Sequence, residues 1–420
     1  MHKKNFLLLL ILVFQLPLFA QWTTLSTSPF SGRHDDICFI NDSVGWIASG
    51  FGGRIFKTTD GGDSWNIQYF GNFYLRSIEF ANDMLGFSGT LNGPLLRTTN
   101  GGANWTDVSI NIDPKPPGIC GLSAPSEEVI YGCGIWSSPA FLIKSEDGGL
   151  TWTNKDMSYL ASALVDVHFT SPDTGFVCGR ANPATEGGII LHTTDGGENW
   201  TILHKTMIPF DIIWKLQSPD GTNYFASIDA VPGTGNMRIL KSGDSGFSWE
   251  SVIVSDTYIY SQMIGFMDSL TGWVGGLSSL YETIDGGETW YPIALGSDYN
   301  RFLKINDTLA FMSGGRIYKY TKEETVSTQH PETYAEIHGL KVTPNPAADL
   351  IQIEIELSEN TYCLLQIFSS NGHLIHDIYN GPIEKGKRNF SYHIGEIPPQ
   401  SIYVALKTNE GLVYRKVIKM

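Results

Sequence analysis

One eight-residue phrase occurs six times in this chain. Thr58-Thr59-Asp60-Gly61-Gly62-Asp63-Ser64-Trp65 recurs at Thr98 to Trp105, Ser145 to Trp152, Thr193 to Trp200, Ser242 to Trp249 and Thr283 to Trp290. The general form is Ser/Thr-x-Asp/Asn-x-Gly-x-x-Trp, and successive copies lie 40–49 residues apart. A period of that size fits the blades of a β-propeller. Around each copy runs the same layout. A strand ends in Phe, a turn carries Asp, and a Gly-aromatic pair opens the next strand. Phe39, Asp42, Gly45 and Trp46 show it, as do Phe266, Asp268, Gly272 and Trp273. Four short strands per period make one blade. Charged residues are only 17% of the chain, with 45 Gly and 11 Trp, a profile that suits short strands and tight turns.

The ends fix the number of blades. Strand triplets begin near Asp36, Ser77, Ile119, Val165, Ile213, Met263 and Phe302, which predicts seven. The last triplet lacks a Trp-led fourth strand, and Gln21-Trp22-Thr23-Thr24-Leu25 supplies one from the other end of the chain. Closing the ring this way hides strand edges that would otherwise template aggregation. The expected class is all-β: a seven-bladed propeller over residues 21–320, followed by a small Ig-like β-sandwich.

The repeated turn reads as structural. Asp60, Asn100, Asp147, Asp195, Asp244 and Asp285 can cap backbone N–H groups, and Gly takes the positive-φ position. Trp65, Trp105, Trp152, Trp200, Trp249 and Trp290 pack beneath the turns. One carboxylate per loop is poor against the six to eight oxygens that calcium takes, so no metal or cofactor is expected. These turns resemble Asp-boxes, or BNR repeats, and their layout resembles the photosystem II assembly factor family and related seven-bladed propellers. The resemblance covers residues 21–320; it implies the fold and leaves the activity open, because unrelated functions share this scaffold.

Residues 1–20 read as a secretory signal. Lys3 and Lys4 precede an apolar stretch from Phe6 to Phe19, and Ala20 suits a cleavage site. No later apolar run is long enough to span a bilayer. Residues 321–338 have linker composition. Residues 339–420 hold alternating apolar strands, opened by Val342-Thr343-Pro344-Asn345-Pro346-Ala347 and closed by Arg415-Lys416-Val417-Ile418-Lys419. This resembles the type A sorting domain of the type IX secretion system of Bacteroidetes, with Ser401 where that family carries Gly. The resemblance implies export by that machinery, the tail being recognised and removed, and a product released or attached at the outer surface. An ordinary carbohydrate-binding or Ig-like sandwich is the alternative.

Chemistry has little support in the sequence. With 28 basic and 43 acidic residues the net charge is −15, which argues against nucleic acid. Cys133 and Cys178 occupy a slot that takes Ala48, Gly89 and Gly275 in other blades, so both read as small buried hydrophobes. Cys120 and Cys133 lie on neighbouring strands, and whether they pair is left open. A glycoside hydrolase, sialidase-like or xyloglucanase-like, would need two carboxylates at the propeller mouth. Asp35, Asp36, Asp166 and Asp211 are positioned for that, but the arginine motifs of sialidases are missing. The favoured expectation is a non-catalytic binder of protein or glycan. Its candidate face lies opposite the Asp-boxes and carries Arg33, Phe73, Tyr74, Arg76, Trp136, Arg180, Phe210, Tyr258, Tyr260, Tyr299 and Arg301. Aromatic and Arg side chains are common interface anchors, although several of these could simply seal the central channel.

Overall fold

The computed structural model describes residues 21–29, 32–134, 139–230, 236–322, 339–358, 360–369, 374–398, 401–408 and 411–420. Residues 1–20, residues 323–338 of the expected linker and Trp136 lie outside the described residues, while Thr321 belongs to a strand of the first unit. The chain divides into two units, Met1–Glu323 and Glu324–Met420.

Among the described residues the first unit contains seven four-stranded antiparallel sheets, six of them simple meanders. In the seventh, the strand Gln21–Thr24 is outermost and runs antiparallel to Ile317–Thr321, with Trp22 opposite Tyr320. Seven apolar clusters fill the seven gaps between neighbouring sheets, including the gap between the last and the first. There Phe39, Ile47 and Phe56 pack against Leu309, Phe311 and Ile317. The ring is therefore closed by side chains as well as by the borrowed strand.

The Phe and Gly-aromatic signals of the repeat now have a packing reason. In blade 2, Phe80 ends the inner strand and lies over Gly86 of the next, where a Cβ would sit 2.4 Å from the ring. Trp46 of blade 1 stacks on the same ring at 3.5 Å, and Trp105 meets it edge-on at 5.9 Å. Tyr131, Phe169 and Trp200 repeat the arrangement two gaps further round, and Phe225, Phe266 and Trp290 two gaps beyond that. Each box Trp is thus one wall of an inter-blade aromatic cluster, a contact worth more than its area alone.

The box turns are closed by their own side chains. Thr58 Oγ1 donates to Asp60 at 2.7 Å and accepts from Gly62 N–H at 2.9 Å, while Asp60 accepts from Ser64 N–H at 2.8 Å. Gly61 and Gly62 have φ of 68° and 93°, the left-handed region that Gly enters freely. Lys57 Nζ donates to Gly101 O of the following blade's box at 2.9 Å, and Lys319 Nζ to Gly61 O at 3.1 Å. Arg97 and Lys241 likewise reach the next blade's box, at Gly148 O and at Glu288, so these cations stitch neighbouring blades together, whereas the residue before the sixth box is Glu282.

The second unit packs a three-stranded sheet against a four-stranded one. Leu350–Leu357 alternates buried and solvent-facing residues, as a strand with one covered face must. Ile351, Ile353 and Ile355 meet Leu365, Ile367, Val404 and Leu406 in a common core. The opening Pro-Asn-Pro-Ala segment brackets the final strand: Ile418 N–H donates to Asn345 Oδ1 at 2.9 Å, and Ala347 N–H to Ile418 O at 2.9 Å.

Candidate functional site

A register shift recurs at one slot of five inner strands: between His34 and Asp36, Leu75 and Ser77, Leu164 and Asp166, Ile213 and Lys215, and Ser261 and Met263. Each shift is a bulge, which re-aims a side chain. The extra residues are Asp35, Arg76, Val165, Trp214 and Gln262. Cys120 and Asn300 fill the same slot in the two remaining blades. The result is a two-faced collar at the channel mouth. Cys120, Val165 and Trp214 form an apolar arc; Asp35, Arg76, Gln262 and Asn300 form a polar one.

Two guanidinium groups share one carboxylate in the polar arc. Arg33 Nε lies 3.1 Å from Asp35 Oδ1, and Arg76 Nη1 lies 2.9 Å from the same oxygen. Arg33 also donates to Gln262, and to Asn300 at 2.5 Å. Tyr74 OH donates to Asp35 at 3.3 Å, and the Arg76 guanidinium sits 5.6 Å from the Trp214 ring centroid. Burial raises the Asp35 carboxyl, against the pull of Arg76 and Arg33. A cavity of about 90 Å³ remains here, walled by Arg33, Tyr74, Arg76, Trp214, Tyr260 and Gln262.

A second layer closes the channel below. Lys215 Nζ lies 2.9 Å from Asp166, and Arg301 reaches Asp166 at 3.3 Å and Asp36 at 3.6 Å. Glu79 is the third carboxyl in this layer. Burial pushes it up to about 8; Arg301 opposes the shift, and Asp36 and Asp166 add to it. Beside the mouth, Asp211 accepts from Arg238 at 3.0 Å. Tyr258 OH donates to Asp229 at 3.2 Å, whose carboxyl burial pushes up to about 7.

The candidate binding residues therefore divide. Arg33, Tyr74, Arg76 and Tyr260 come together at the collar, where Arg76 is 3% exposed and serves as a seal. Arg301 lies deeper and belongs to the channel plug. Tyr299 is buried between the last two blades. Arg180 is half-buried beside Asp229, whose titration it influences. Phe210 stands out at 52% exposure. Trp214, Gln262 and Asn300 were missed by sequence reasoning. Aligning the residue just inside each inner strand would have grouped them with Asp35 and Arg76.

The four carboxylates singled out in the sequence are all engaged. Asp35 holds two arginines, Asp166 a lysine and an arginine, and Asp211 an arginine; Asp36 accepts from Ile78 N–H at 3.0 Å and faces Arg301. The box carboxylates are likewise occupied. Asp147 accepts from Leu150 N–H, Thr151 N–H, Thr151 Oγ1 and Ser145 Oγ. All five cysteines are buried and free, and Cys120 and Cys133 belong to different clusters.

Comparison with known proteins places this scaffold. A family model described as photosynthesis system II assembly factor YCF48 matches residues 16–135. The photosystem II assembly lipoprotein Ycf48 of Synechococcus sp. (strain CC9902) is 27% identical over 305 residues, covering 67% of this chain and 82% of that protein. The solved structure of YCF48 bound to D1 peptide matches with a TM-score of 0.55 at 19% identity, over 72% of this chain and 97% of that one. The GH74 xyloglucanase of Xanthomonas campestris matches with a TM-score of 0.55 at 12% identity, over 80% of this chain and 59% of that one. The chain is thus similar to the YCF48 assembly factors, and it shares the propeller fold with them and with a glycoside hydrolase.

Proposed function

We propose that the propeller is a non-catalytic receptor that binds a protein partner with its mouth face, in a chain exported to the cell surface through its C-terminal sandwich. The observation that carries the non-catalytic reading is the engagement of Asp35, Asp36, Asp166 and Asp211 by cations and backbone donors. Glycoside hydrolysis takes one carboxyl as acid and another as nucleophile or base. Carboxylates neutralised at contact distance by Arg or Lys serve neither role well. Likeness to a peptide-binding propeller supports a protein as the partner. Likeness to the xyloglucanase supports only the scaffold. The export reading rests on the apolar N-terminal segment and the tail's resemblance to type IX sorting domains.

Residues 21–420, immobilised and cross-linked to surface extracts of the producing cell, should retain a discrete protein that an Arg33→Gln, Phe210→Ser variant does not. Release of sugar from any cell-surface polysaccharide, abolished by Asp211→Asn, would instead establish the hydrolase. Deleting residues 339–420 should leave the propeller in the periplasm; appearance of that truncated chain outside the cell would remove the sorting role.

A further inference from the structure

The mouth face carries two apolar footholds on opposite sides of a polar centre. The first is formed by the loops 50–53 and 71–74, tied together by a bond from Gly71 N–H to Gly53 O at 2.9 Å. Phe51, Phe70 and Phe73 are 59%, 66% and 38% exposed there. The second is the loop Met207-Ile208-Pro209-Phe210, all four exposed. Four consecutive apolar residues in water are a defect unless they serve binding. This loop is also held rigidly in a costly shape. Met207 and Phe210 have φ of 56° and 67°, and their N–H groups are fixed to Glu186 O and Ala184 O at 3.0 and 2.9 Å. Strain of this kind persists where the surroundings enforce it, often at a functional site. Tyr159 and Leu277, exposed in other inter-strand loops, stand singly and need no such explanation.

Between the footholds lies the collar. Arg33 and Arg76 share Asp35, which leaves that group net positive in a chain of charge −15. Arg33 keeps 16% of its side-chain surface open. The footholds sit at the blade 1–2 and blade 4–5 boundaries, three blades apart on a ring of seven, so one side chain or one sugar reaches only one of them.

Resting on the receptor reading above, we infer that the mouth takes an elongated protein segment that is apolar at both ends and acidic in its middle. Apolar ends cover the two footholds, and the acidic middle answers the open edge of Arg33, the pattern of apolar anchors with a hydrogen-bonded polar part found in protein interfaces. A bilayer fits worse. Seating both footholds in lipid would drag the charged collar toward hydrocarbon, which is costly.

The test uses synthetic peptides of about 15 residues, ~50 Å when extended, and fluorescence anisotropy with the chain 21–420. A peptide with Leu and Phe at both ends and Glu in the middle should bind at least about tenfold tighter, roughly 1.4 kcal/mol, than its scramble or a Lys-centred version. Phe51→Ser with Phe73→Ser, and separately Met207→Ser with Phe210→Ser, should each weaken it about tenfold without changing the melting temperature. Arg33→Gln should erase the preference for Glu over Lys. Equal binding of the scramble, indifference to either foothold pair, or stronger binding to phosphatidylcholine–phosphatidylglycerol vesicles would overturn the inference. Failure of every peptide beside successful cross-linking of a protein partner would overturn it while leaving the receptor reading intact.

Discussion

The Arg301 guanidinium of the last blade lies 3.3 Å from Asp166 of the fourth and 3.6 Å from Asp36 of the first. One side chain therefore braces three blades across the channel. Replacing it by Met should leave two carboxylates short of a cation. Breaking a buried pair by removing one partner costs about 3–5 kcal/mol, and the lower end applies to a side chain that remains 23% exposed. Urea denaturation of Arg301→Met should report a loss near about 3 kcal/mol. A loss under about 1 kcal/mol would show that water, not Arg301, neutralises the layer.

Glu79 should make stability fall with rising pH. Its folded value is about 8, against 4.5 for the free side chain. Below about 4.5 both states hold the proton. Between about 4.5 and 8 the unfolded chain releases it first, which favours unfolding, and above about 8 the effect is constant. Glu79→Gln should therefore be more resistant to urea than the parent at pH 8, with little difference at pH 4. Parallel pH profiles for the two proteins would refute the assignment.

The Asp-boxes act in the opposite sense at low pH. Hydrogen bonds from Ser64, Thr151, Asn199 and Ser248 hold Asp60, Asp147, Asp195 and Asp244 down at about 2. A depressed carboxyl supports the fold above the ordinary value of 3.8, and that support is lost as pH falls from about 3.8 through about 2. Asn100 fills the same position with the same acceptor geometry, bonded to Thr98 Oγ1 at 3.0 Å and Asn104 N–H at 2.9 Å. Changing all four Asp to Asn should keep the blades and shift acid unfolding to lower pH, read by Trp fluorescence. An unchanged acid midpoint would mean that other carboxylates govern it.

Trp22 should be the costliest single truncation at the ring closure. It is 8% exposed and meets Trp273 edge-on at 5.2 Å and Tyr320 at 5.3 Å. Trp22→Ala should cost about 3–5 kcal/mol in chemical denaturation. It should also speed proteolysis within residues 301–321 ahead of the other blades. Uniform cleavage across the blades would argue against a local opening at the seam.

Much of the scaffold is legible in the sequence because its signals are short-range and repeated. Gly86 beside Phe80, or Thr58 beside Asp60, are neighbours in sequence as well as in space. The collar is harder to read. Arg33, Arg76 and Gln262 meet only after the ring closes, and the bulges that aim Arg76 and Gln262 leave no distinctive residue behind. Composition also cannot separate a sealing arginine from a binding one. Arg76 and Arg33 are the same residue type two slots apart on the mouth face, yet one is sealed over Trp214 and the other keeps an open edge. Phe210 and Tyr299 read alike in sequence, and burial alone distinguishes them.

The borrowed strand also sets how the ring responds to a pull. Gln21 pairs directly with Thr321, so the two ends of the propeller's chain emerge side by side from the Asp-box face. Hydrogen bonds between antiparallel strands run across them, and a force separating the two ends acts along those bonds. Such a load falls first on Gln21–Thr321, then on Trp22–Tyr320, then on Thr23–Lys319, opening the seam like a zip fastener rather than straining all its bonds at once. The seventh blade is consequently the ring's mechanical fuse.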